Sequence, residues 1–209
     1  MTSKIIISIF DSIPLWVMIM PIFLCSVILL AVFIERMVFY RKISLDYRLL
    51  TGTVIENLVS GKRGKASEEC SRYSGPLNQM IREIMEKWDS TLEREFVIRD
   101  ISEKTIGSIE KFGGVISTIA TISPMLGLLG TVTGMMKSFS GLAKIGPSAR
   151  DLLAQGITEA LVTTALGLLV GIPALIFYNF MVSKVDYFVR EVEFIANSFN
   201  DIGKGISAD

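Results

Sequence analysis

Residues 119–136 read IATISPMLGLLGTVTGMM, a run without a charge in which bulky aliphatics alternate with glycine, threonine, serine and one proline. Followed at helical spacing, Ala120, Pro124, Gly127, Thr131, Gly134 and Ser138 fall on one face, and all are small or ring-closed. A helix in a water-soluble core would fill such a face with leucine and isoleucine. In lipid, apolar side chains gain nothing by meeting one another, and a stripe of small residues instead lets a second helix backbone come close. Pro124 removes one intrahelical hydrogen bond, tolerated in a membrane helix where neighbours re-satisfy the freed carbonyl. The stretch reads as a membrane helix whose business is with other helices.

Two more apolar runs accompany it. The first, 14–35, supplies the roughly 20 apolar residues that cross a hydrocarbon core about 30 Å thick. It is too long for a signal peptide, is preceded by only one basic residue (Lys4), lacks a small-residue cleavage site, and ends at Glu35-Arg36 and Arg41-Lys42. We read it as a retained anchor. The second, 152–183, is interrupted strongly only by Gln155 and Glu159 before Asn179, and exceeds a bilayer, so its helix must project beyond the membrane. Half of the 209 residues are hydrophobic and the mean hydropathy is +0.51, high for a soluble protein.

The expected class is all-α: a three-span integral membrane protein whose long second and third helices extend into a cytoplasmic helical bundle. The parts are a short periplasmic N-terminus (1–13), transmembrane helix 1 (14–35), a cytoplasmic helical region (36–111), transmembrane helix 2 (112–136), a periplasmic loop (137–151), transmembrane helix 3 (152–183) and a cytoplasmic C-terminal helix and tail (184–209). Within 36–111, Leu49, Leu50, Ile55, Leu58 and Val59 mark a short helix ending at the Gly61–Gly64 break, and a second covers 66–73. Ser74-Gly75-Pro76 is a turn, and helices over 77–88 and 92–109 follow, the last running without a breaker into the second span. Arg36, Arg41, Lys42 and Arg48 after the first span, Lys104 and Lys111 before the second, and Lys184 and Arg190 after the third place these segments inside. Lys137, Lys144 and Arg150 in the outer loop weaken that bias.

Several functions are disfavoured at once. The 21 basic and 21 acidic residues cancel, leaving no nucleic-acid footprint, and histidine is absent, which removes the commonest metal ligand and general base. Cys25 and Cys70 lie in unlike surroundings and are not expected to pair. Ser123 has no base beside it, and the Gly61–Lys65 segment lacks the strand and Lys-Ser/Thr ending of a phosphate loop. No enzyme, cofactor or metal is expected.

The third span carries its own small stripe, Gly156, Ala160, Thr163, Gly167, Gly171 and Ala174, with Pro173 beside it. Gly130-x-x-x-Gly134 and Gly167-x-x-x-Gly171 are close-packing motifs, and with Pro124, Gly127 and Pro173 they form the expected packing set. Glu159 is the one acid inside a span, where a charge at the bilayer centre costs about 2.5–3.5 kcal/mol. It reads either as an interfacial acid favoured by the helix dipole or as the outer mouth of a proton path. Thr131 and Thr164 could line such a path, although mid-membrane threonines commonly bond back to their own helix. Arg36 reads as a membrane-edge anchor, to lipid phosphate or for topology.

Two blocks, SPMLGLLGTVTGMM (123–136) with Phe139, and GITEALVTTALGLLVGIPA (156–174) followed by Tyr178 and Asn179, resemble the signatures of the MotA/TolQ/ExbB proton-channel family. Three spans and the short length resemble its ExbB/TolQ branch. The resemblance implies a ring-forming subunit, typically of a pentamer, in a bacterial inner-membrane motor driven by the proton-motive force. It implies an ExbD/TolR-like single-span partner with a membrane aspartate, and a TonB/TolA-like protein that transmits force. By motif, Thr131 and Thr164 correspond to the threonines facing that aspartate and Glu159 to the third-span glutamate. The small stripes would then pack subunit against subunit or line the pore. Two hydroxyls without a further acid favour H⁺ over Na⁺. The alternatives are a non-conducting oligomeric scaffold, and a solute transporter, which the lack of an internal repeat disfavours.

Overall fold

The computed structural model describes residues 15–42, 47–71, 75–88, 94–142 and 149–206. Among them every element is an α-helix: α1 (Leu15–Lys42), α2 (Tyr47–Val59), α3 (Arg63–Ser71), α4 (Pro76–Glu86), α5 (Arg94–Glu110), α6 (Gly113–Leu142) and α7 (Ala149–Ile206). Three stretches, Trp16–Arg41, Arg94–Phe139 and Leu153–Gly203, are long and apolar enough to cross a membrane by length and composition. This is the all-α, three-span architecture expected. The N-terminal segment 1–13, together with Pro14, Tyr73, Ser74, Leu92, Lys144, Gly146 and Pro147, lies outside the described residues.

Element boundaries follow local chemistry. α2 ends in a Schellman motif: Gly61 takes φ 70°, its amide donates to Leu58 O (3.0 Å), and Lys62 N donates to Asn57 O (2.8 Å). Gly75, at φ 141°, precedes Pro76, which occupies the first turn of α4 where its missing N–H costs nothing. α1 runs past residue 35 to Lys42, and α6 past residue 136 to Leu142, because the segments beyond the spans keep apolar residues at helical spacing. The third span and the tail form one 58-residue helix, α7.

One expectation is corrected. α5 does not run into α6 without a breaker; a tight turn at Lys111-Phe112 separates them, with Phe112 at φ 71°. A bulky residue in that region costs about 1–2 kcal/mol. Gly113 and Gly114, poor helix formers, follow, and Ile116 N returns to Phe112 O (3.1 Å) to start α6.

The chain divides into two compact units, Met1–Ile34 with Phe112–Phe180, and Glu35–Lys111 with Met181–Asp209. In the first, Ile22, Ile119, Val170 and Ala174 form a buried cluster, against which Cys25, Leu29, Leu126 and Leu166 pack. Phe33 meets Phe177 edge-on at 4.7 Å. In the second, α4 buries Leu77, Met80, Ile81 and Ile84, an apolar stripe at i, i+3, i+4 and i+7. The later part of α7 buries Met181, Val185, Phe188, Val192, Ile195 and Phe199, alternating steps of four and three. Trp88 lies edge-on to Phe199 at 5.7 Å, and Arg94, stacked 4.5 Å over Trp88, donates to Gly203 O (3.1 Å) near the end of α7.

Cys70 is 0% exposed in this second unit, and burial pushes its thiol from 9.0 up to about 11. The folded state therefore holds the proton more tightly than the unfolded chain does. Its contribution to stability is complete below about pH 9 and is lost as the pH rises towards 11. Denaturation midpoints measured across that window should fall more steeply for the natural chain than for Cys70→Ala. Equal slopes would show that Cys70 does not titrate in the fold.

Candidate functional site

The small stripes of α6 and α7 face each other within one chain, and the helices run antiparallel. Pro124, Gly127, Gly130, Gly134 and Ser138 of α6 meet Gly171, Gly167, Thr163, Ala160 and Gly156 of α7 in that order. A Cβ on Gly167 would sit 2.6 Å from Ser123 O and 3.0 Å from Gly127 Cα; one on Gly127 would sit 3.0 Å from both Thr163 O and Thr164 Cα. On Gly134 it would lie 2.8 Å from Ala160 Cβ, and on Gly171 2.6 Å from Pro124 Cγ. On Gly130 it would collide with the Thr163 hydroxyl, and on Gly156 with that of Ser138. At Gly130, Gly134, Gly167 and Gly171 only hydrogen fits without a shift of neighbouring atoms, which lets the two backbones touch. The stripes thus form a seam inside the chain. Pro173, expected in the packing set, is exposed and lies outside it.

The seam positions the threonines. Thr164 Oγ1 donates across it to Gly127 O at 3.0 Å. In an α-helix that same carbonyl receives the amide of Thr131, four residues on. Thr131, 9% exposed, donates its hydroxyl to Leu128 O at 2.7 Å. The two threonines therefore meet at the Gly127 peptide, one through its side chain and the other through its backbone. Each hydroxyl has its proton engaged and keeps lone pairs that can accept. Glu159 is half-buried at the seam's edge, next to Ala160, and accepts from Gln155 Nε2 at 3.1 Å. It lies five residues from Thr164, about 7.5 Å nearer the start of α7. Thr131 and Thr164 are brought together; Glu159 stands apart from them.

Ser123 is the residue a search for catalytic groups passes over. Every threonine from 118 to 164 donates its hydroxyl to a backbone carbonyl. Ser123 is 0% exposed and its hydroxyl has no partner. Leaving such a group unbonded costs about 1–3 kcal/mol. The signal in the sequence was a serine beside the small stripe, directly before Pro124, where the helix has already lost a hydrogen bond. Thr163, fully buried beneath Gly130, and Ser138, against Gly156, are further seam hydroxyls not predicted as sites.

Arg36 does not face lipid phosphate. It is 2% exposed, pairs through Nη2 and Nε with the Glu35 carboxylate (Nη2 to Oε1, 2.6 Å) and lies 4.3 Å over the Phe39 ring. Its Nη1 donates to Ser108 O (3.2 Å) and Ile109 O (3.5 Å), and Tyr40 OH donates to Ile109 O (3.3 Å). These carbonyls belong to the last turn of α5, where intrahelical donors run out. Because α5 stops at the turn described above, they need a cap, and Arg36 with Tyr40 supplies it. Among the described residues, no group of cysteines and acids is placed to hold a metal ion.

Residues 73–193 match the family model described as the MotA/TolQ/ExbB proton channel family, a span that contains the whole seam. The chain is 31% identical over 176 residues to a biopolymer transport protein ExbB homolog of Methanothermobacter thermautotrophicus, covering 80% of this chain and 60% of that protein. It is 30% identical over 162 residues to an ExbB-like biopolymer transport protein of Synechocystis sp., covering 76% of this chain and 77% of that one. With the Tol-Pal system protein TolQ of Pseudomonas aeruginosa it shares 39% identity over 87 residues, 42% of this chain and 38% of that protein.

Proposed function

We propose that this chain, which belongs to the MotA/TolQ/ExbB proton channel family, is a ring-forming subunit of a motor in a bacterial inner membrane, driven by the proton-motive force. The observation that carries the reading is the pair Thr131 and Thr164 meeting at the Gly127 peptide, inside the segment the family match covers. Their hydroxyls would line the path, and Glu159 would sit at its outer mouth. Among the described residues no acid lies in α6 beside the threonines, and the titrating group would come from a partner: an ExbD/TolR-like single-span protein with a membrane aspartate. The ring is a homo-oligomer, a pentamer by family resemblance, with its N-terminus outside and its C-terminus in the cytoplasm. One charge crossing 100 mV releases about 2.3 kcal/mol, so work comes from repeated passages. A TonB/TolA-like protein would deliver it to uptake or to envelope integrity.

Two experiments test this. Extraction from the native membrane in mild detergent should yield a stoichiometric single-span companion bearing a membrane aspartate. Thr131→Val and Glu159→Gln should assemble normally yet lose proton-coupled activity. A bare homo-oligomer without proton-coupled activity would instead identify a non-conducting scaffold, and full activity in both variants would show that the path does not run through these residues. That outcome is the one consistent with threonine hydroxyls engaged purely in holding the seam.

A further inference from the structure

We infer that the exposed face of α5 in one copy of this chain docks on the outward face of the α7 tail in the next copy. This surface presumes the ring proposed above and says how neighbours meet in it. Two contacts fix the levels of the two helices within their own unit. Arg94 Nη1 donates to Gly203 O at 3.1 Å. Tyr40 bonds Ile109 O through its hydroxyl and stacks its ring on Phe188 at 6.0 Å. The anchor points are 15 residues apart on α5 (94 and 109) and 15 apart on α7 (188 and 203). The helices therefore run antiparallel at matched height, one residue against one.

At matched height their outward residues carry opposite charges. Lys104 lies ten residues from Arg94, and Glu193 ten from Gly203, so the two are level. Arg190 falls between the levels of Glu103 and Glu110, and all five side chains are exposed. Within the chain, Lys104 donates to Asp100 at 2.6 Å and Glu103 accepts from Arg99 at 2.9 Å, both inside α5. Rotation about an axis along the helices leaves every height unchanged. The tail of α7 follows that axis, because it continues a membrane span in one 58-residue helix. A ring therefore brings the α5 face of one copy level with the α7 face of the next, a head-to-tail contact that closes. Lys104 then meets Glu193, and Arg190 meets Glu103 and Glu110. Apolar surface on α7 supports the same placement. Tyr187 (42% exposed) and Phe194 (53%) flank Arg190 and Glu191, and the four line a cavity of about 450 Å³. Such a stripe, at i, i+3, i+4 and i+7, takes the side chains of a second helix. Charges at 186, 190, 191 and 193 exclude lipid tails as its cover.

A benzophenone amino acid at position 194, photo-activated in native membranes, tests the placement. Adducts should double the mass of the chain on a denaturing gel and map by mass spectrometry to residues 103–110 of a second copy. Adducts only within the same chain, to lipid, to a single-span companion, or to nothing overturn the inference. Charge exchange is the independent check. Lys104→Glu and Glu193→Lys should each raise the concentration at which the purified oligomer dissociates about tenfold, and together restore it to within about twofold. Restoration cannot come from what either residue does in its own helix, and its absence overturns the pairing. A natural chain that is monomeric at every concentration in mild detergent overturns the ring itself. An intact oligomer without the 103–110 adduct overturns only this surface.

Discussion

Gly167→Ala should lower the stability of the protein by about 2–3 kcal/mol although it adds a single methyl group. The new carbon would arrive 2.6 Å from Ser123 O and 3.0 Å from Gly127 Cα, both backbone atoms that cannot rotate aside. Relief requires α6 and α7 to separate, and separation stretches the Thr164–Gly127 hydrogen bond at the same level of the seam. Stability and proton-coupled activity should therefore fall together. Gly107→Ala in α5 is the control, because a Cβ there meets nothing within 4 Å. Alanine in an open helical position is stabilising by roughly 0.5–1 kcal/mol relative to glycine. Unfolding midpoints of the two variants in one detergent decide the matter. Equal midpoints would mean that the helices do not touch as described.

Arg36→Met should cost about 2–3 kcal/mol. The substitution keeps the apolar stem but leaves the Ser108 and Ile109 carbonyls without their cation. The figure stays below that for a fully buried ion pair because Glu35, 46% exposed, remains in contact with solvent once its partner is gone. Arg36→Lys should recover only part of the loss, since one ammonium cannot reach a carboxylate and two carbonyls in the fixed fork of a guanidinium. Hydrogen exchange at the last turn of α5 is the direct reading, with faster exchange expected in Arg36→Met. An unchanged rate, with stability that varies instead with anionic lipid, would return Arg36 to the membrane edge.

The contrast between Arg36 and the glycines shows what a sequence can disclose. Apolar runs announced the spans, because lipid demands about 20 residues of them whatever the neighbours are. The period of the small residues announced a face, because spacing along one helix is local information. Which helix meets that face is not local. Gly167 touches Gly127 across forty residues of chain, and only the antiparallel register of α6 and α7 makes them partners. Arg36 was misplaced for the same reason: its acceptors lie 72 and 73 residues away, and an arginine at the end of an apolar run looks like an anchor until they are found. Phe112 hid its turn because neither it nor Lys111 is a helix breaker; the following glycine pair was the only hint. Ser123 was visible as a residue, but not as an unbonded one, since most serines in helices find a carbonyl.

With the small residues facing inward, the outward faces of the two helices have a uniform character. From 122 to 135 the exposed residues of α6 are Ile122, Met125, Leu128, Leu129, Val132 and Met135, and from 161 to 176 those of α7 are aliphatic or proline. The nearby exposed hydroxyls of Thr121 and Thr158 already donate to their own helices. Whatever lies against this surface meets methyl and methylene groups that offer no directional bond. Such a contact has nearly the same energy in many registers, so sliding along it meets shallow friction and no hydrogen bond has to break. The chain is interlocked within itself and slippery outside, as a bearing race is.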